Sequence, residues 1–259
     1  MRVALTNVID DGAVRVVTMA HAERRNALSH ALADELSAAI EPATCRALIL
    51  RAEPGSTTWS AGHDIDDLPQ DGSDPLAWTS PVEHLVRAVR KAPFPVIAAV
   101  EGGAWGAACN LAFACDLIVA TRTATFAITP AKLGVPYHTE GVTQFIEVVP
   151  LNVAKEMFFT AQPLPADSTH LSGIVNRIAE SSEELTETAL AMARRVAELA
   201  PLSIRAIKAE MSALTDARSL GSDQFEYLTS LRRAAWRSSD YLEGIAAFKE
   251  RRSPTFRGE

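Results

Sequence analysis

Three short stretches of this chain carry residues able to do chemistry. Ser60-Ala61-Gly62-His63-Asp64 is a turn of small residues that holds an imidazole. Gly102-Gly103-Ala104-Trp105-Gly106 is a glycine turn opening into a small, apolar segment, residues 105–114, of helical character. Tyr137 closes a third, apolar loop that runs from Thr129 through Pro130, Leu133, Gly134 and Pro136. A strand that turns through glycines into a helix leaves backbone N–H groups without intrahelical partners. With the helix dipole behind them, such groups can hold an oxyanion. One N–H from each glycine-containing turn could converge on a single carbonyl oxygen, and the Tyr137 hydroxyl could donate to a carboxylate or move a proton. The bland alternative is a close-packed βαβ corner without chemistry. A dinucleotide site fits less well, because Gly102, Gly103 and Gly106 do not match G-x-G-x-x-G. Spacing alone leaves open whether the three loops meet.

The elements that must position these loops follow from the apolar pattern. The central stretch is residues 96–120: a buried strand at 96–100, the glycine turn, the helix, and a second strand at 116–120. Upstream, residues 3–9 and 14–19 read as a hairpin split by Asp10-Asp11-Gly12. Ser29 is the expected N-cap of an amphipathic helix over residues 30–40. A buried strand is expected at 47–50, a surface loop at 70–75, and a helix at 81–91 that Pro93 and Pro95 end. Downstream, a strand is expected at 124–128, and the chain from 140 onward reads as largely helical. Its clearest pieces are 166–171, 185–199, 201–214, 224–238 and 241–250, with a short strand at 174–178. The pattern shifts from mixed α/β to helical around residues 148–166, which marks an expected subdomain boundary.

Composition narrows the function. A chain of 259 residues that is 47% hydrophobic can bury one large α/β core, with or without a helical appendage. The net charge of −7 argues against nonspecific nucleic-acid binding. No apolar run reaches transmembrane length, and the charged N-terminus lacks a signal-peptide core. Cys45, Cys109 and Cys115 form an odd set without C-x-x-C spacing and read as small buried hydrophobes in a reducing, cytoplasmic compartment. His21, His30, His84 and His170 lack metal-ligand spacing, and Asp64, Asp66 and Asp67 lack a glycine-centred calcium loop, so no metal is expected. The acids read as capping or solvated groups. The phosphate-binding loop, the zinc-protease helix and the nucleophile elbow are all missing as motifs.

Six blocks in order resemble the enoyl-CoA hydratase/isomerase (crotonase) superfamily nearly end to end. They are Arg25-Asn26-Ala27-Leu28-Ser29, Ser60-Ala61-Gly62-His63-Asp64-Ile65, Gly106-Ala107-Ala108-Cys109-Asn110-Leu111, Asp116-Leu117-Ile118-Val119-Ala120, Gly173-Ile174-Val175-Asn176 and the tail from Glu243 to Pro254. The resemblance implies an α/β fold, a spiral of repeated ββα units over residues 1–195, with a helical trimerisation region over 196–259. It implies a homotrimer or a dimer of trimers acting on an acyl-CoA thioester. Coenzyme A enters as part of that substrate, and no separate cofactor is expected. The thioester oxygen would be held by the backbone N–H groups of His63 and Ala107. Arg25, Ala27 and Ala61 would line the CoA channel, and Gly62, Asp64, Ile65, Gly106, Thr129, Pro130 and Leu133 would complete the substrate contacts.

Departures from the family pattern carry the finer expectation. Hydratases of this family place glutamates at the positions of Asn110 and Pro130, where this chain has an amide and an imino acid. Neither can accept a proton usefully near neutral pH, so ordinary hydration is not expected. The nearer resemblance is to the decarboxylase branch acting on methylmalonyl-CoA. It is carried by residues 60–65, Asp74-Pro75-Leu76, Val100-Glu101-Gly102 with Trp105-Gly106, Thr129-Pro130, residues 133–137 and residues 222–226. It breaks at Ala107, where a glycine is common, and at Asn110, where that branch keeps a glutamate. In that branch the residues matching His63 and Tyr137 flank the leaving carboxylate, so Tyr137 and His63 are the expected catalytic pair. Glu140 is an acid without an assigned counterpart. It leaves open an isomerase or hydrolase that uses it as base, and loss of both carboxylates leaves open a non-catalytic acyl-CoA-binding protein.

Overall fold

A computed structural model describes residues 4–41, 44–215 and 220–259. Val3, the first residue of the expected hairpin, lies outside the described residues. The hairpin itself forms as β1 (Thr6–Asp11) and β2 (Val14–Met19), antiparallel, with Asp11 opposite Val14. Then α1 (His30–Ile40) begins where its cap was expected: the Ser29 hydroxyl accepts the Leu32 N–H.

Three ββα repeats follow. They are β3 (Ala47–Ala52), β4 (Thr58–Ser60) and α2 (Pro81–Lys91); β5 (Val96–Val100), β6 (Gly103–Trp105) and α3 (Ala107–Ala114); and β7 (Leu117–Thr121), β8 (Thr125–Ala127) and α4 (Thr139–Val148). The first strand of each repeat joins a larger sheet, in the order β1-β2-β3-β5-β7-β10, where β10 is Arg177–Ala179. The second strand joins a smaller sheet, in the order β4-β6-β8-β9, where β9 is Leu164–Pro165. Within the smaller sheet β4, β6 and β8 run parallel. Between β5 and β6 the chain turns at Gly102, with φ +74°, where a Cβ would run into the Thr57 backbone. That close approach lets one strand feed both sheets.

The strands of the larger sheet are apolar on both faces because both faces are covered. On β3 and β5, Ile49 and Ile97 face α6 (Ser182–Ala197), which contributes Leu185, Ala189 and Ala193. The alternating residues Leu48, Leu50, Val96, Ala98 and Val100 face the main core with Trp59, Phe113 and Phe126. The remaining helices are α5 (Leu151–Thr160), α7 (Pro201–Thr215), α8 (Ser222–Trp236) and α9 (Ser239–Lys249).

Three expectations need correction. Gly103–Trp105 is a strand, not a glycine turn leading into a helix at Trp105, because its backbone pairs with Thr125–Ala127. Residues 166–171 do not form a helical piece; only a 3₁₀ turn at Thr169–Leu171 forms, since Ala166 N–H is drawn back to the Ala124 carbonyl at 2.9 Å. The shift at 148–166 is not a structural boundary either. After it, β9 and β10 rejoin the two sheets and α6 covers the larger one.

Candidate active site

The three chemistry-bearing loops meet, and strand order explains why. They leave the same ends of β4, β6 and β8, three adjacent parallel strands. Gly62, with φ +86°, closes the gap: a Cβ there would collide with the Trp105 carbonyl oxygen and sit 3.2 Å from Ala107 N. The loops enclose a cavity of about 900 Å³. Arg25, Ala27, Ala61, His63, Asp64, Ile65, Gly106, Ala107, Thr129, Pro130, Leu133 and Tyr137 all line it. Gly62 does not. It is buried behind the wall, so its expected substrate contact is replaced by a packing role.

His63 and Ala107 both line this cavity, and among the described residues neither backbone N–H has a hydrogen-bond acceptor. Ala107 is the first residue of α3, where an N–H has no intrahelical partner. His63 sits in an isolated parallel bridge with Leu28. The bridge is made by Leu28 N–H to the Gly62 carbonyl, at 2.7 Å, and Asp64 N–H to the Leu28 carbonyl, at 3.2 Å. Alternation along an extended chain turns the N–H of His63 itself the other way, toward the second turn.

The His63 ring is fixed as well. Its Nδ1 lies 3.1 Å from the Asp64 carbonyl, which can only accept, so Nδ1 carries the proton. Its Nε2 is buried without a protein partner among the described residues. Burial pushes the imidazole below its ordinary value, so the ring is neutral near pH 7.

Tyr137 is held by its ring. The ring stacks on His138 at 5.4 Å and meets Phe158 at 5.2 Å and Phe145 at 6.2 Å, both edge-on. Its hydroxyl has no hydrogen-bond partner among the described residues. Burial first, then the nearby Glu83 charge, pushes the phenol well above its ordinary value, so it remains a donor.

At the mouth of the cavity the acids do structural work, as their pattern suggested. Asp64 caps a 3₁₀ turn through the Asp66 N–H, and both its oxygens lie 3.0 Å from Arg24 Nη2. Asp67 accepts the His30 N–H at 2.7 Å. Arg25 and Asn26 adopt positive φ values of 52° and 49°. Such strain costs of order 1–3 kcal/mol per residue and persists only where the surroundings fix it. Here the buried Asn26 amide donates to the Trp59 carbonyl at 3.0 Å and accepts the His21 N–H at 2.9 Å. Arg25 is thereby turned to the rim, where Lys249, Arg251 and Arg252 from the end of α9 join it.

A spiral of ββα repeats whose strand-end loops close over one cavity is the crotonase architecture. The chain belongs to the enoyl-CoA hydratase/isomerase family, whose model matches residues 10–259. It is 40% identical over 255 residues to methylmalonyl-CoA decarboxylase of Escherichia coli (strain K12), covering 97% of each chain. Solved structures of methylmalonyl-CoA decarboxylase in complex with 2-nitronate-propionyl-CoA and with 2S-carboxypropyl-CoA both match with a TM-score of 0.95 at 39% identity. The first match covers 99% of each chain and the second 100%.

Sequence reasoning missed two site residues and misplaced a third. Glu83, on α2, is 5% exposed and lines the cavity, and His138 is buried against it. Glu140, the acid the sequence offered as a base, does not line the cavity. It is half-buried on α4, where burial raises its carboxyl against the pull of His138. A signal for Glu83 was present: it is a carboxylate beside Val82, Leu85, Val86 and Val89 on a buried helical face. The commonness of acids in a helix's first turn masked it.

Proposed function

We propose that this chain is an enzyme that decarboxylates a 2-carboxyacyl-CoA thioester, with methylmalonyl-CoA giving propionyl-CoA as the expected reaction. The observation that carries the reading is the free Tyr137 hydroxyl in the cavity that His63 and Ala107 also line, with Pro130 there in place of a hydratase glutamate. The decarboxylase relatives support it, and the molecules bound in their structures, 2-nitronate-propionyl-CoA and 2S-carboxypropyl-CoA, carry a nitronate and a carboxyl group on the short chain attached to CoA.

The chemistry follows from charge movement. Loss of CO₂ requires the breaking C–C bond to stand perpendicular to the thioester plane. The electron pair then enters an enolate whose charge rests on the thioester oxygen. Two preorganised N–H donors, His63 and Ala107, stabilise that oxygen; one such donor is worth about 10²–10³ in rate in a well-studied hydrolase. Tyr137 donates to the carboxylate and holds it out of plane, and His63 flanks it. The thioester is its own electron sink, so the step needs neither a separate cofactor nor a general base to begin it. Arg25, Ala27 and Ala61 line the channel for the CoA portion, with Ile65, Thr129 and Leu133 against the acyl and pantetheine stem.

Residues 196–259 form the assembly region in this reading, and the active form is a homotrimer or a dimer of trimers. Support comes from α7, which buries none of its residues within the chain. Ile207, Met211 and Leu214 fall at i, i+4 and i+7 on one of its faces and are 48%, 64% and 78% exposed. Among the described residues no helix is long and apolar enough to cross a membrane, and Cys45, Cys109 and Cys115 are unpaired. Both fit the cytoplasm. The deciding experiment measures CO₂ release from malonyl-, methylmalonyl- and ethylmalonyl-CoA. Fastest release from methylmalonyl-CoA is expected; release from none refutes the reading.

A further inference from the structure

Decarboxylation ends with a proton transferred to C2 of the enolate, and the groups assigned so far are poorly placed to give it. Tyr137 keeps its proton more tightly than an ordinary phenol. The one proton of neutral His63 is on Nδ1, committed to the Asp64 carbonyl, and its Nε2 is bare. Of the four acids that line the same cavity, Glu23 is exposed and Asp64 and Asp66 are paired with Arg24, which leaves Glu83 as the buried acid without a cationic Arg or Lys partner.

Glu83 is a built feature. Its Oε2 lies 3.0 Å from His138 Nε2, with side chains only 7% and 8% exposed. The opposite ring nitrogen, Nδ1, accepts the Gly141 N–H at 3.0 Å and so caps α4. A nitrogen that accepts carries no proton, so the neutral ring has its proton on Nε2, pointing at Glu83. The capping bond thus sets the tautomer, and the tautomer orients the carboxyl. Burying such a pair is costly and weak as a source of stability. A carboxylate inside a cavity that receives an anionic substrate raises the cost further, because two carboxylates in one site hold a proton between them.

Resting on the decarboxylase reading, we propose that Glu83 is the acid that protonates C2 of the enolate, with His138 as its positioning residue. Glu83 takes one proton from water as the 2-carboxyacyl thioester binds. The C2–carboxyl bond breaks, CO₂ leaves, and the bonding pair becomes the enolate. That pair then takes the Glu83 proton to form the C2–H bond. Glu83 is left as a carboxylate facing the Nε2–H of His138, and water reprotonates it for the next turnover.

By reversibility, the Glu83 carboxylate should also remove a C2 proton from bound propionyl-CoA. The test is therefore proton exchange at C2 of propionyl-CoA in D₂O, followed by mass spectrometry, beside CO₂ release from methylmalonyl-CoA. The wild type is expected to exchange, and to deliver deuterium to one face of C2 during decarboxylation. Glu83→Gln keeps an oxygen acceptor for His138, and it should lower exchange at least 100-fold, within the range of general acid–base effects, and scramble the C2 configuration. His138→Asn should lower exchange at least tenfold while propionyl-CoA affinity holds. Undiminished exchange in folded Glu83→Gln overturns the proposal, as does a wild type that releases CO₂ yet neither exchanges nor deuterates one face. Glu83-dependent exchange without CO₂ release supports Glu83 as the C2 acid–base group and refutes the decarboxylase reading instead.

Discussion

Removing only the Tyr137 hydroxyl tests the reading most directly. In Tyr137→Phe the ring keeps its contacts with His138, Phe145 and Phe158, so the loop keeps its shape. The hydroxyl bonds nothing in the protein among the described residues, so its loss leaves no buried group stranded. What disappears is a donor to the substrate carboxylate, and a hydrogen bond to a charged group is worth roughly 1.5–3 kcal/mol. If that bond fixes the out-of-plane carboxylate, its loss falls on the barrier and not on binding alone. The rate of CO₂ release from methylmalonyl-CoA should drop at least tenfold, about 1.4 kcal/mol. Steady-state release across substrate concentration separates kcat from KM, and isothermal titration with propionyl-CoA, which lacks the carboxylate, supplies the control. Its affinity should hold within about twofold, a fraction of 1 kcal/mol. Equal loss of affinity for both thioesters would make Tyr137 a packing residue. An unchanged rate in a folded variant would remove it from the mechanism.

Hydration of crotonyl-CoA, followed by loss of enoyl absorbance, should be negligible; turnover near 10 per second, an ordinary enzyme rate, would show that Asn110 and Pro130 do not preclude it. Gly62→Ala should cost more than 10² in kcat, the scale of one lost oxyanion donor, because a Cβ at φ +86° pushes the Trp105 carbonyl and Ala107 N away; wild-type activity would refute that packing role. Sedimentation should give a trimer or hexamer at micromolar concentration, and Met211→Asp on the exposed face of α7 should shift it toward monomer. A wild-type monomer would refute the assembly reading.

How far the residues announced this site depends on what kind of signal each one makes. The two glycine-containing turns were legible as turns because glycine at tight turns and small residues at a helix start leave few alternatives. Gly62 and Gly102 sit where only close backbone approach explains them. The edges of α1 and α2 were legible for a similar local reason: Ser29 caps one, and Pro81 opens the other. What local pattern could not give was which loops share a cavity, because that depends on β4, β6 and β8 lying side by side, a fact of strand order. The same limit hid Glu83. Twenty-four residues before Ala107 in sequence, it reaches the cavity only because α2 packs across α3. Glu140, three residues from Tyr137, sits half-buried in the first turn of α4 and does not line the cavity. Nearness in sequence favoured the wrong acid. The helix that places Glu83 also supplies Val82, Leu85 and Val86 to the core beneath it. A carboxylate kept on that face is held against the hydrophobic effect, and chemistry at the cavity it lines is the reason the structure offers for it.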